Sequence, residues 1–374
     1  MSHNLALSWT EAGHEVTVVT GVPCDSERPV PYRVVRRPSS AQVAALVDAH
    51  DIVFANGASM RLFFTAWGKR KPFVWKHATY QLCSLDGFGW TADGPSPLSP
   101  LASVSHHLKH SGLWQTARMT TRFGVRSLVS KLVDANIAVS NHQAGRQRLP
   151  RSRVIYNPVD FEAFAVGNAD QAEALVDDAS HTFTYVGRLI AEKGVDDLIA
   201  AFGRVAREKT APCTLKIVGG GPEAGRLKEL ARAHEVDELV TFVGEKEGGE
   251  LLAEVRSAGI CVLPSAWEEP MGLVTLELMA AGKPLIVSAV GGLSECAGDA
   301  CLTFPNRDVD SLAAAMRRLA GSAEDRRNLI ERALARADRF RAYKSPDLYL
   351  MLFAEIISGR AGGGVGSAPA KSNT

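Results

Sequence analysis

Short runs rich in β-branched residues alternate with stretches whose apolar positions recur every three or four residues, and the alternation continues along most of the chain. In the first half such runs fall at 15–20, 32–35, 51–55, 72–77, 135–139 and 153–156. A polar, Ala/Asp-rich stretch covers 166–180. The runs then resume at 182–187, 214–218, 239–243, 259–263, 284–288 and 301–304. Strands that return between helices predict parallel βαβ units. The pattern therefore predicts an α/β chain with two doubly wound parallel sheets, joined near 157–180.

The segment 194–208 shows how faces are assigned. Val195, Leu198, Ile199, Phe202 and Val205 form one stripe, predicting a helix that lies on a sheet, with Asp196, Asp197, Arg204 and Lys209 in water. Asp196 and Asp197 read as a solvated helix start at the positive end of the dipole. Residues 345–358 are apolar enough for a helix packing back toward the first half. From 359 to 374 the periodicity ends, and a disordered tail is expected. The expected units are thus an N-terminal domain over 1–160, a C-terminal domain over 161–344, the helix at 345–358 and the tail.

Composition narrows the function classes. With 42 Lys+Arg against 41 Asp+Glu, the chain has no cationic excess to hold nucleic acid by bulk electrostatics. At 46% hydrophobic and 22% charged it is an ordinary globular sequence over 374 residues, enough for two cores. No apolar run reaches the ~18 residues of a membrane span. Cys24, Cys83, Cys213, Cys261, Cys296 and Cys301 are scattered without a C-x-x-C pair, which reads as reduced thiols in a cytoplasmic protein. Cys213 and Cys261, inside apolar runs, are expected to be small buried hydrophobes.

Two segments carry candidate chemistry. After the run 182–187, the turn from Gly187 supplies Arg188 and Lys193 just before a helix, forming a positive pocket at the carboxyl edge of a parallel sheet. Farther on, Glu269 precedes a Pro-Met-Gly turn and Glu277 lies on the helix that Gly272 opens, so both carboxylates can approach one site. The N–H groups of Gly272, Leu273 and Val274 would be free at that helix start to hold an anion. Taken singly, each segment also fits a surface ion pair or a capping carboxylate.

Together, and with their surroundings, they resemble the retaining nucleotide-sugar glycosyltransferases of the GT-B fold, family four (glycosyl transferases group 1). The matching stretches are YVGRLIAEKG…LIAAF (185–202), LKIVGGGPEAGRL (215–227), VTFVGE (240–245) and PSAWEEPMGLVTLELMAAGKPLIVSAVGGLSE (264–295), with GHEVTVVTG (13–21) and VIYNPVD (154–160) toward the start. The resemblance implies two Rossmann-like domains facing a cleft and transfer of a sugar from a UDP- or GDP-linked donor to an acceptor hydroxyl with retention, in polysaccharide or glycoconjugate synthesis. It implies that Arg188 and Lys193 contact the donor diphosphate and that Glu277 bonds the ribose. Glu269, with the amides of Gly272, Leu273 and Val274, would hold the sugar and distal phosphate. His77, at the end of the run 72–77, would touch the donor sugar across the cleft, against the simpler reading of a hydrogen-bonded histidine. No metal and no further cofactor is expected. The acceptor would be a carbohydrate or lipid-linked molecule read by the region 80–130, with peripheral association at the inner membrane face allowed.

Several rival readings remain. Asp308-Val309-Asp310 has the look of a metal pair, but Asp310 directly precedes an evident helix and is expected to cap it. His106, His107 and His110 read as an exposed amphipathic turn. Gly219-Gly220-Gly221-Pro222-Glu223-Ala224 with Glu245 formally fits a dinucleotide fingerprint, hence an NAD-dependent oxidoreductase, but it opens the second unit of its sheet rather than the first. An inactive nucleotide-sugar-binding scaffold is the other alternative. Relatives of this pattern begin with a strand and a Gly-rich turn before the helix that leads into Gly13-His14-Glu15. An upstream extension of about 20–30 residues is therefore expected by analogy with the Rossmann opening.

Overall fold

The computed structural model describes residues 2–22, 29–91, 94–166, 174, 181–208 and 213–361. Cys24, Lys209, most of the 166–180 stretch and the tail beyond 361 lie outside them.

Among the described residues fourteen strands form in chain order: β1 (Thr17–Thr20), β2 (Arg33–Arg36), β3 (Val53–Asn56), β4 (Phe73–Lys76), β5 (Trp90–Thr91), β6 (Gly94–Pro95), β7 (Ala135–Ala138), β8 (Ser152–Val154), β9 (Thr182–Val186), β10 (Thr214–Val218), β11 (Val240–Gly244), β12 (Ile260–Leu263), β13 (Leu285–Ser288) and β14 (Leu302–Phe304). Apart from the small hairpin β5-β6, every run expected from the sequence becomes a strand, and all their pairings are parallel. The second half builds one six-stranded sheet, ordered β11-β10-β9-β12-β13-β14. The first half is divided between β1-β2 and β3-β4-β7-β8.

The helix Val195–Arg207 buries the expected stripe, with Leu198, Ile199 and Phe202 fully enclosed against Phe183 and Ile217. Its acidic start differs from the expectation. Asp196 and Asp197 both pair with Arg307, and burial raises the carboxyl pKa of Asp197. The reason is tertiary: the loop after β14 folds back over the first turn of this helix. The helix Ser345–Ala361 packs Tyr349 and Phe353 on Leu5, Trp9 and Val74 of the first half. It continues through residues 359–361, where the tail was expected to begin.

The expected cap also moves. The helix Val309–Gly321 starts two residues early, and Asp308 rather than Asp310 caps it, accepting the Ser311 N–H at 3.0 Å. Asp310 instead pairs with Arg204. His107 is buried, with Nε2 3.3 Å from an Asp86 oxygen, because the loop 84–89 folds over its helix. Only His106 and His110, stacked on each other, remain toward the outside of that turn.

Candidate active site

In an open parallel sheet the ligand crevice lies at the carboxyl edge where the strand order reverses. In the six-stranded sheet that point falls between β9 and β12, and both carry the motifs singled out above. β9 ends in the turn that presents Arg188 and Lys193, and β12 ends in the loop 264–272 that presents Glu269. The two are laced together: the Glu192 carbonyl accepts from the Ala266 N–H (2.9 Å), the Trp267 N–H (3.2 Å) and the Ser265 hydroxyl (3.2 Å).

Across this junction Lys193 Nζ donates to Glu269 Oε1 at 2.7 Å. Both groups are largely enclosed, with side chains 19% and 11% exposed, so the pair is shielded better than a surface bridge. Arg188 is exposed beside it and makes no ion pair among the described residues. Behind Glu269 the backbone leaves no room for a side chain. A Cβ on Gly291 would come 2.6 Å from the Glu269 carbonyl oxygen, and the Gly292 N–H donates to that same oxygen at 2.6 Å.

Of the three amides expected to be free at the start of the helix Leu273–Ala280, one is taken: the Leu273 N–H donates to the Met271 carbonyl at 3.2 Å. The bend at Gly272 is the cause, since it folds that amide back on its own loop. Thr275 Oγ1, buried in the same turn, has no hydrogen-bond partner among the described residues. Glu277 lies one helical turn farther on. Its pKa is raised by burial, and no described residue bonds its carboxylate.

His77 sits at the end of β4 as expected, but its ring is fully buried rather than open to the cleft. Nε2 meets the Asn136 amide oxygen at 2.9 Å, the ring stacks on Trp75, and Nδ1 has no partner among the described residues. Burial holds its pKa down at about 4, so the ring is neutral. It makes no hydrogen bond to Lys193 or Glu269.

The contacts between the halves had no signal in the sequence. Glu268 turns away from its neighbour Glu269 to take Arg146 and His142 (2.9 Å) from the first half. Burial opposes its ionisation, but hydrogen bonds from those two residues outweigh that and bring its pKa to about 2. Glu295 accepts the backbone N–H groups of Asn141 (2.8 Å) and His142 (2.7 Å) and the Tyr156 hydroxyl (2.6 Å). Trp267 stacks on Phe88 at 4.3 Å and donates from Nε1 to the Phe88 carbonyl.

The rival dinucleotide fingerprint is spent on packing. A Cβ at Gly219 would lie 1.8 Å from the Gly187 carbonyl oxygen, while the Gly187 N–H donates to Val218 and the Leu189 N–H to Gly220. These glycines let the β9 and β10 turns touch, which keeps Arg188 and Lys193 at the edge of the crevice.

Comparison with known proteins bears on the family and the fold. The family model for glycosyl transferases group 1 matches residues 168–336. A glycogen synthase of Mycobacterium tuberculosis is 30% identical over 348 residues, spanning 84% of this chain and 80% of that protein. The chain belongs to the group 1 glycosyltransferases. Its fold is GT-B. Among solved structures, sucrose-phosphate synthase from Thermosynechococcus elongatus superposes with TM-score 0.67 at 21% identity, over 94% of this chain and 92% of that one. Anabaena HepE in complex with UDP-glucose superposes with TM-score 0.65 at 17% identity, over 89% and 86%. No described helix of this glycosyltransferase is long and apolar enough to cross a membrane.

Proposed function

We propose that this glycosyltransferase takes a sugar from a UDP- or GDP-linked donor and passes it to an acceptor hydroxyl with retention of configuration. The observation that supports this reading most is the Lys193–Glu269 pair across the strand-order reversal, with Arg188 exposed beside it. As the glycosidic bond breaks, negative charge grows on the departing diphosphate. Fixed cations aimed at that charge lower the barrier. Arg188 and Lys193 serve this role, Glu277 takes the ribose hydroxyls, and Glu269 with the Val274 amide orients the sugar. Release of the Lys193 ammonium toward phosphate would free the Glu269 carboxylate for the sugar hydroxyls. His77, being enclosed, acts by positioning the end of β4: its carbonyl accepts from Gln143, whose own side-chain oxygen takes the Val139 N–H.

Metal is not part of the scheme, because Asp308 caps a helix and Asp310 pairs with Arg204. The acceptor is a growing glycan or a lipid-linked sugar in polysaccharide or glycoconjugate synthesis. Leu101, Leu113 and Trp114, exposed beside Lys109, Arg118 and Arg122, favour work at the inner face of an anionic membrane. The test is a panel of UDP-, GDP- and ADP-sugars assayed for binding and slow hydrolysis, with and without EDTA, and NMR of the product's anomeric configuration. Retention without metal is expected. Inversion, or an absolute need for Mn²⁺, overturns the scheme, and donor binding without any turnover leaves an inactive scaffold.

A further inference from the structure

The loop 264–272 changes partners along its length. Its first part is held by its own half, where the Ala266 and Trp267 N–H groups donate to the Glu192 carbonyl. From Glu268 onward the hold passes to one short helix of the other half, Asn141–Gln147, with Ser140 at its cap. The Glu268 carboxylate accepts from Arg146 Nε at 2.9 Å and lies 2.9 Å from His142 Nε2. Two residues on, the Pro270 carbonyl accepts the hydroxyl of Ser140. Ser140 is fully buried, and its oxygen in turn accepts the Gln143 N–H at 3.0 Å, so the hydroxyl is fixed in direction.

Glu269 stands between those two contacts. Its own carbonyl accepts the Gly292 N–H at the start of the helix Gly291–Ala297. That helix is tied to the same place, since its Glu295 takes the N–H groups of Asn141 and His142. Three consecutive residues, Glu268, Glu269 and Pro270, are therefore fixed by the helix Asn141–Gln147, directly or through one intermediary. The Glu269 carboxylate itself bonds Lys193, which belongs to its own half. A bridge serving cohesion alone could lie anywhere on the face between the halves, whereas this one brackets a single residue. The aim of a carboxylate follows the backbone that carries it, and a misplacement of about 1 Å can cost on the order of 100-fold in rate.

We propose that Ser140, His142 and Arg146 are positioning residues for Glu269: through Pro270 and Glu268 the first half sets where that carboxylate stands during sugar transfer. The proposal rests on the reading of Glu269 as the group that orients the sugar. It makes turnover depend on contact between the halves. Affinity for the nucleotide rests on Arg188, Lys193 and Glu277 of the second half, and is left out of that dependence.

The test uses the full chain and whichever of UDP-, GDP- and ADP-glucose it hydrolyses fastest. Arg146→Ala alters a side chain that is 45% exposed, so the fold is kept. It should lower kcat about 10- to 100-fold, with KM and the affinity for the free nucleoside diphosphate within about twofold. Glu268→Gln, which keeps a carbonyl acceptor for Arg146, should retain more turnover than Glu268→Ala. The deciding measurement is a double-mutant cycle with Glu269→Gln. Once the carboxylate is gone its position no longer matters, and adding Arg146→Ala should lower kcat by less than about twofold. The same loss in both backgrounds, or an unchanged kcat in Arg146→Ala alone, overturns the proposal and leaves the bridge a cohesive contact. Full turnover in Glu269→Gln, or hydrolysis of none of the three donors, overturns the reading of Glu269 and the proposal with it, so the two failures are told apart.

Discussion

The two halves of this glycosyltransferase are made from similar runs of residues and end in different states. In the second half β12 and β13 are buried at every position, and the sheet is continuous from β11 to β14. In the first half β1, reading Thr-Val-Val-Thr, is only half-buried at every position, because its inner edge faces a cavity instead of a strand. A β-branched run gains stability only when neighbours cover it. Arg188, Lys193, Glu269 and Glu277 sit in the half whose sheet is continuous, and the other half carries the open edge.

The sharpest way to break this comparison is to truncate one residue in each sheet. Phe183→Ala, in the enclosed core around β9, should cost about 3–5 kcal/mol in urea unfolding. Val18→Ala should cost under about 1 kcal/mol, since much of its surface is already uncovered. Equal costs would mean that the first half is packed as firmly as the second.

Acid should separate the halves next. His77 is held neutral with its pKa near 4, whereas an unfolded histidine titrates near 6.5. Its contribution is therefore complete above about pH 6.5 and is lost as the pH falls toward 4, a loss on the order of 3 kcal/mol in the first half. Glu268 acts lower: its stabilising contacts persist above its ordinary carboxylate range and fail as the pH falls toward 2. His77→Gln should flatten the stability profile between pH 6.5 and 4 and leave the lower limb in place. An unchanged upper limb would remove His77 as its cause.

Donor affinity should follow the second half alone. Arg188→Ala and Lys193→Ala should each weaken UDP or GDP binding about ten- to a hundred-fold, the worth of a shielded charge-assisted contact of ~1.5–3 kcal/mol. Val18→Asp, which loosens the open edge, should leave that affinity within about twofold, as expected for distant sites. Calorimetric titration distinguishes these outcomes. Unchanged nucleotide affinity in both cation variants would discard the site. The smallest effect is expected at the D-x-D segment, where Asp308→Ala should remove a helix cap, lower Tm only slightly and leave turnover in EDTA untouched.

Much of this was legible residue by residue. The stripe of the helix Val195–Arg207 and the positions of the strands followed from spacing alone, since burial of an apolar face fixes the period. Arg188, Lys193, Glu269 and Glu277 were each marked by their place after a strand or at a helix start. Contacts were not legible. Asp196 and Asp197 read as solvated until Arg307 arrived from more than a hundred residues away, and His107 read as exposed until the Asp86 loop covered it.

The sequence by itself determined which segments are strands, which faces of the helices are apolar and which turns carry charge, because those properties depend on neighbours within a few residues. Only the tertiary structure decided that Lys193 meets Glu269, that Glu268 leaves its neighbour to join His142 and Arg146, and that the Leu273 amide is already used. It also decided that β1 and β3 face each other across an open slot. Each of these depends on the direction in which a side chain or strand edge is held by residues distant in the chain, and local spacing carries no term for that.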